Sequence, residues 1–375
     1  MKKEWNVTAQ QNINFSVKIT DDILNPTNKL LIENGNSKRR IVFVDSKVFK
    51  THASNIKNYF EKNNIESKIL SIDISEDKKN LESLLFMLQA LENFGISRRS
   101  EPIIAIGGGV LLDIVGLAAN LYRRGVPYIK VPTTLLAIVD ASVGVKTAIN
   151  HFGRRNRLGS YYAPIVAYLD RSFLQSLEEK EFTSAMGEII KMAVIKNKTL
   201  FEILEKNVER LIEQKFLIGD EALNIISIAT NSMIEELEPN LWEKNLKRIV
   251  DFGHSFSPLL EMKSIEDSTV RSLMHGEAVA IDIVFSCCLA FHKKIIKLSD
   301  LKRVVNLCKV CKIEIYHPYF CDKMLLWHSL LDTVRHRDGN QNLPIPNKIG
   351  SAIFLNDVSL EDVENTIDVY KREVS

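Results

Sequence analysis

The most constraining feature of this sequence is an alternation. Between residues 40 and 132, four short β-branched runs, 40–45 (RIVFVD), 67–72 (SKILSI), 102–106 (PIIAI) and 128–131 (YIKV), alternate with helical segments, among them amphipathic stretches at 47–63 and 79–94. Strand, helix, strand, helix at this spacing gives βαβ units, whose parallel strands must be covered on both faces. Beyond about residue 172 the β-rich runs become rare. There, 183–214, 220–237 and 277–291 repeat apolar residues every three or four positions, the period of helices packed on helices. The expected fold is therefore α/β: an N-terminal Rossmann-like parallel-sheet domain over 1–172, then a mostly α-helical domain over 173–375. The cleft between them is the default site.

Composition removes several classes. With 45% hydrophobic and 26% charged residues in 375, the chain can bury sizeable cores, so it is neither a disordered polymer nor a disulfide-stapled miniprotein. It has no run of about 18 apolar residues, so no membrane-spanning helix and no membrane partner are expected. The start, MKKEWNVTAQQN, has lysines but no apolar stretch behind them and is not a secretory signal. Forty-nine basic and 47 acidic side chains leave a net charge of +2. The two signs are interspersed, so there is no basic stripe for nucleic acid, although a pocket for a small anion stays open. Five cysteines, an odd number without an export signal, fit a reducing cytoplasm. Cys308 and Cys311 form a C-x-x-C with no second pair, and are expected to be structural thiols in a helix.

Residues 103–106 run straight into Gly107, Gly108 and Gly109, after which a helix-like stretch begins. Glycines at a strand-to-helix junction let backbone N–H groups approach a pyrophosphate, though tight helix packing calls for the same residues. Asp45 closes the first strong strand, where a carboxylate can hold ribose hydroxyls or cap the next helix. Residues 130–150 set Thr133, Thr134, Asp140 and Lys146 in an otherwise apolar stretch. Isolated buried charges are costly, so Asp140 and Lys146 must face a polar ligand or form an ion pair. A basic cluster, Arg154, Arg155 and Arg157 around Asn156, either grips a phosphate or is solvated.

In the helical half, Glu188 (AMGEIIKMAV), His254 (VDFGHSF) and His275 (LMHGEAVAID) sit in apolar surroundings. Two imidazoles and a carboxylate are the donor set of a catalytic zinc ion with open positions. Core histidines are also commonly structural. Lys191, three residues after Glu188, shares its helical face and reaches the same space.

Together, GGGVLLDIVGLAA, YRRGVPYIKVPTTLLAIVDASVGVKTAIN, RNRLG, AMGEIIKMAVIK, DFGHSF and HGEAVAID resemble the dehydroquinate synthase superfamily of sugar phosphate cyclases, over about residues 40–350. The resemblance implies NAD in the first domain and a divalent metal, zinc or cobalt, on Glu188, His254 and His275. It implies that Arg124, Asp140, Lys146, Asn156 and Lys191 line the substrate cavity. Lys146, Arg124, Arg155 and Asn156 would hold a phosphate, Lys191 and Asp251 would orient hydroxyls, and His336 and Arg337 are either late contributors from the C-terminal segment or solvated loop charges. Glu76 and Lys79 match an early E-x-x-K that serves the nucleotide, as do Asp45, Gly107, Gly108, Gly109, Asp113, Thr133 and Thr134.

Departures from the dehydroquinate synthase pattern bear on the substrate. Where those enzymes read N-x-G-H-T-x-G-H, this chain has Asp251 for the asparagine and Pro258 for the second histidine. Pro258 offers no side-chain hydrogen bond, and Asp251 is expected to add negative charge that repels a substrate carboxylate. EELEPNLWE, DFGHSFSP and VRHRDGNQNLPIP, with Leu237 and His336, look like the 2-epi-5-epi-valiolone synthases. That implies cyclisation of sedoheptulose 7-phosphate with phosphate release, through transient NAD oxidation, β-elimination, reduction and aldol closure. The alternatives are desmethyl-4-deoxygadusol or 2-epi-valiolone synthase on the same substrate, 3-dehydroquinate synthase, or, from another class, an NAD-dependent polyol dehydrogenase. A cytoplasmic homodimer acting on a small sugar phosphate is expected.

Overall fold

The computed structural model describes residues 4–374. Ten strands and twelve α-helices are found among them. The first part contains β1 (Ser16–Thr20), α1 (Leu30–Glu33), β2 (Arg39–Asp45), α2 (Ser46–Lys62), β3 (Glu66–Ile72), α3 (Leu81–Phe94), β4 (Ile103–Gly107), α4 (Gly109–Leu121) and β5 (Tyr128–Pro132). After these come β6 (Lys146–His151), β7 (Arg154–Tyr161) and β8 (Val166–Asp170). The helical part holds α5 (Glu179–Ile195), α6 (Lys198–Glu213), α7 (Asp220–Leu237), α8 (Ser257–Glu266), α9 (His275–His292), α10 (Leu298–Val310) and α11 (Lys323–His336). A hairpin of β9 (Leu343–Lys348) and β10 (Ser351–Leu355) and a last helix, α12 (Leu360–Val374), complete it.

Six strands form one parallel sheet in the order β1-β8-β5-β4-β2-β3. Period-two geometry explains the continuous apolar runs. Ile41, Phe43, Ile103 and Ala105 point towards α3 and α4, where Leu84, Met87, Leu111 and Val115 meet them. Val42, Val44, Ile104 and Ile106 point the other way, onto Val48, Ile56 and Phe60 of α2. Both faces are thus covered, as a parallel sheet requires. The chain winds outward from β2 to β3 on one side and from β4 to β5 and β8 on the other. The order therefore reverses between β2 and β4, opening a crevice at their carboxyl ends.

The helical part is organised around α9, which packs against α5, α8, α10 and α12. By length and composition alone α9 is apolar enough to cross a membrane, although polar residues such as Glu277 and Asp282 interrupt its apolar run. It is instead the buried centre of a helical core, with 78% of that window inside the molecule. Each fully buried Val, Leu, Ile or Phe contributes about 1.5–3 kcal/mol relative to exposure, so burial of its apolar residues holds α9 in this core.

Several elements depart from the sequence reading. The apolar period over 183–214 belongs to two helices, α5 and α6, separated at Lys196 and Asn197, with Asn197 capping the second through Leu200 N. Strands β1, β8, β9 and β10 and the β6–β7 hairpin were not expected. Cys308 and Cys311 are buried free thiols at the end of α10, and burial pushes both above the usual thiol range.

Candidate metal and substrate site

Two glycines bring the first two ligands together. A Cβ on Gly187 would lie 2.1 Å from the Gly276 carbonyl oxygen, and one on Gly276 would lie 1.6 Å from that of Ser184. Only glycine permits α5 and α9 to cross this closely. The neighbours of these glycines, Glu188 and His275, are consequently forced into one space. His254 enters from the turn before α8. Its Nε2 is 3.5 Å from Glu188 Oε1, His275 Nε2 is 3.8 Å from the same oxygen, and the two rings are 5.4 Å apart. One ligand atom from each of the three lies within 4.8 Å of the others.

The far side of each ring is held as well. His254 Nδ1 donates to the Phe252 carbonyl at 3.2 Å, and His275 Nδ1 donates to Glu261 Oε2 at 3.1 Å. Both Nε2 atoms are left facing Glu188, the tautomer that metal-ligating histidines take when the other nitrogen is tied to an acceptor. Burial pushes the His254 pKa down to about 4, so the ring is neutral at neutral pH. For His275 burial also disfavours the charge, but Glu261 outweighs it and raises the pKa. Glu188 is almost fully buried, which alone would raise its pKa; Lys191 and the two imidazoles overcome that and hold it at about 2. Its Oε1 is sealed from solvent with no hydrogen-bond donor. An ionised carboxylate with an orphaned oxygen, facing the Nε2 atoms of two imidazoles, fits a divalent cation such as zinc.

These ligands open onto a cavity of about 760 Å³, also lined by Asp140, Lys146, Asn156, Lys191, Asp251 and His336. Asp140 sits on a π-helical turn, Ala137–Ala141, whose end is fixed by buried Lys130 Nζ donating to the Ala141 and Gly144 carbonyls at 2.8 and 3.0 Å. Burial raises the Asp140 pKa, and the negative Glu188 nearby adds to that. Asp140 and Lys146 do not pair with each other: Lys146 Nζ contacts Glu243, and Lys191 Nζ contacts Glu188. The walls of the cavity, and then Arg248, push Lys146 down to about 8.

Asp251 differs from expectation. Arg248 grips it at 2.5 Å and buried Arg337 reaches it at 3.3 Å, so its charge is neutralised by two guanidinium groups. Repulsion of a substrate carboxylate therefore cannot be ascribed to Asp251 alone. Arg155, read as a phosphate holder, is engaged by Glu76 at 3.0 Å and by Glu261, and its Nη1 lies 3.4 Å from His275 Nδ1. Asn156 accepts from Lys79 Nζ at 2.6 Å, and Lys79 also binds Asp113 at 2.6 Å. His336 lies 3.7 Å from Asp332 at the rim.

The nucleotide candidates gather elsewhere, at the reversal of strand order. A Cβ on Gly107 would lie 3.2 Å from Asp45 Cβ, and one on Gly108 would lie 3.3 Å from Thr134 Cγ2, so β2, β4 and the turn after β5 meet there. Thr133 N donates to the Gly107 carbonyl at 3.1 Å. The Asp45 carboxylate caps α2 through Lys47 N. Glu76, Lys79, Gly109 and Asp113 line a neighbouring cavity that shares Asp140, His254 and His275 with the first. Arg124 is exposed, on a left-handed turn after α4 (φ 61°), and lines neither cavity.

Glu243, Arg248 and Glu261 escaped the sequence reading. Arg248 was detectable as a basic residue one helical turn before Asp251. Glu261 was not, because its contact with His275 joins two helices.

The match to known proteins comes in two halves. The sequence model described as 3-dehydroquinate synthase N-terminal matches residues 69–184, and that described as 3-dehydroquinate synthase C-terminal matches 185–334. The chain belongs to the 3-dehydroquinate synthase family. Within it, a 2-epi-5-epi-valiolone synthase from Actinomyces sp is 40% identical over 373 residues, covering 97% of this chain and 96% of the relative. A solved 2-epi-5-epi-valiolone synthase from Streptomyces hygroscopicus subsp. jinggangensis 5008, with NAD+ and Zn2+ bound, superposes with a TM-score of 0.93. That structure is 37% identical, with 98% and 99% of the two chains covered. A demethyl-4-deoxygadusol synthase from Trichormus variabilis is 31% identical, covering 98% of this chain and 90% of the relative.

Proposed function

We propose that this protein is a sugar phosphate cyclase that converts sedoheptulose 7-phosphate into 2-epi-5-epi-valiolone and phosphate. In class it is a carbon–oxygen lyase dependent on NAD and a divalent metal, zinc or cobalt. The observation that carries the reading is the convergence of both histidine Nε2 atoms on Glu188, in one cavity with Lys191, Lys146 and Asp251. The higher identity to 2-epi-5-epi-valiolone synthases than to a demethyl-4-deoxygadusol synthase supports the choice of product.

The chemical problem is to expel phosphate from an unactivated carbon. NAD, when bound, would supply a reversible hydride acceptor for an alcohol next to the phosphate-bearing carbon; a ketone there would acidify the adjacent C–H, so that phosphate can leave. Zinc on Glu188, His254 and His275 would supply a Lewis acid for the oxygen borne by the carbon that is oxidised and then reduced. The chain's own residues position the rest. Lys146 and Asn156 bind the phosphate, which takes up the proton as it departs. Asp251, held between Arg248 and Arg337, accepts from a sugar hydroxyl, and the Lys191 ammonium donates to another. Asp140 faces the same hydroxyls from the π-helical turn, and His336 closes the rim. Arg155 orients Glu261 and, through it, His275. Arg124, exposed and outside both cavities, takes no part in this reading.

Residues 1–172 would bind NAD at the β2/β4 crevice, through Asp45, Gly107, Gly108, Gly109, Thr133 and Thr134, with Glu76, Lys79 and Asp113 beside them. Residues 173–375 would hold the metal. The enzyme is proposed to work as a homodimer in a reducing cytoplasm, where its five unpaired cysteines persist. The test is to supply sedoheptulose 7-phosphate with NAD and Zn2+, then follow phosphate, NADH and the carbocycle by NMR and mass. Phosphate release with 2-epi-5-epi-valiolone and no net NADH is expected. Steady NADH accumulation would instead identify a polyol dehydrogenase.

A further inference from the structure

Asp282 lies in the core of α9, fully buried, seven residues after His275. Its Oδ2 accepts hydrogen bonds from three successive backbone amides, Ser255 N at 2.9 Å, Phe256 N at 2.7 Å and Ser257 N at 2.8 Å. Ser286 Oγ donates to the other oxygen at 3.0 Å. Burial works to raise its pKa, and these four donors work against that. A buried carboxylate without a bonded cation is costly, so the position needs a strong compensating arrangement. That arrangement is the turn immediately after His254.

The start of α8 has no side-chain cap of its own. Its first N–H, that of Ser257, is instead satisfied, together with those of Ser255 and Phe256 just before the helix, by a carboxylate delivered from a different helix. The carbonyls of the same turn are occupied too. Ser257 Oγ donates to the Gly253 carbonyl at 2.6 Å, Ser329 Oγ to Phe256 at 2.6 Å and Thr333 Oγ1 to Ser255 at 2.8 Å. Gly253, at φ 78°, lies against Val279 and Ile283 of α9, where a Cβ would come within 2.9 and 3.1 Å. Residues 253–257 are therefore pinned along α9, while the His254 ring points into the cavity.

We propose that Asp282 is a positioning residue that sets His254 against His275, so that one helix fixes the separation of both imidazoles. At 1.5 Å per residue, the seven positions between His275 and Asp282 span about 10 Å of rigid helix. The helix bears one ligand at its first residue and clamps the other two turns on. Glu188 is added by the glycine crossing of α5. The inference rests on the metal reading of the triad and deepens it.

The test compares wild type with Asp282→Asn, which keeps the shape but presents a neutral oxygen to three amides. Zinc affinity is measured by chelator competition, NAD affinity by calorimetry, and ligand geometry by the visible absorption of the Co2+-loaded protein. Asp282→Asn is expected to weaken metal binding by roughly 10- to 100-fold, shift the Co2+ bands and leave NAD affinity unchanged. A folded Asp282→Asn protein with wild-type zinc affinity and Co2+ bands overturns this inference alone. Wild-type protein that takes up no stoichiometric metal overturns the metal site, and this inference with it. Should Asp282→Asn fail to fold, Ser286→Ala decides, because it frees one carboxylate oxygen and leaves the three amides. A smaller shift of the Co2+ bands in folded Ser286→Ala supports the inference, and unaltered bands overturn it.

Discussion

The two walls of the cavity are built differently. The metal wall is made of helices: Glu188 and His275 flank a backbone-to-backbone crossing, and His254 sits on a turn hydrogen-bonded at nearly every polar atom. The second wall is the β6–β7 hairpin, where Lys146, and Arg154 on the side of the neighbouring cavity, expose more than half of their side chains and are held by ion pairs. Helix packing fixes atoms to within tenths of an ångström, because any displacement loses many contacts at once. Exposed ion pairs are individually worth about 0–1 kcal/mol and can be exchanged for a ligand's charges. The metal wall is thus preorganised, and the hairpin wall is poised to trade its internal partners for an anionic substrate.

The comparison can be broken at several points. The largest effect is expected at Glu188: Glu188→Gln should lower turnover by about 10²–10³-fold or more, with loss of bound zinc measured by elemental analysis. Gly276→Ala should come next, because its methyl would collide with the Ser184 carbonyl. A stability loss of about 3 kcal/mol or more is expected in denaturant titration, with weaker zinc binding, whereas a hairpin substitution such as Arg154→Ala should leave both unchanged. Asp251→Asn removes the charge shared by Arg248 and Arg337. A loss of about 1.5–3 kcal/mol in transition-state binding is expected, roughly 10- to 150-fold in kcat/KM.

A smaller effect follows from Lys146, whose ammonium is pushed down to about 8. It is charged below that pH and neutral above it, so KM for the sugar phosphate should rise as pH passes through 8 and beyond. Glu243 competes for the same ammonium. Lys146→Met should raise KM at neutral pH and flatten this limb of the profile; an unchanged limb would assign it to another group. The smallest effect concerns the thiols: Cys308→Ala with Cys311→Ala should cost on the order of 1 kcal/mol per site and leave zinc content intact.

What the sequence disclosed depended on the range of the contacts. The core strands and α2 were readable because period-two and period-3.6 patterns are local properties of 40–45 or 47–63. Strand β1 pairs with β8 across about 150 residues and alternates weakly, with three of its five residues exposed, so nothing local marks it. The hairpin was hidden because β7 carries mostly polar, exposed residues. At the site, the three ligands could be named from residue type and apolar context. Their supports could not: Glu261 meets His275 across 14 residues, and Asp282 meets the His254 turn across 25 to 27. The misjudged charge of Asp251 has the same origin, since Arg337 reaches it from 86 positions away.

The central claim is that Glu188, His254 and His275 hold one metal ion. Zinc-edge X-ray absorption on stoichiometrically loaded protein tests it directly. The expected first shell is two imidazole nitrogens and one carboxylate oxygen at about 2.0–2.2 Å, with the remaining positions filled by water. A shell containing sulfur, or one without imidazole scattering, would contradict it.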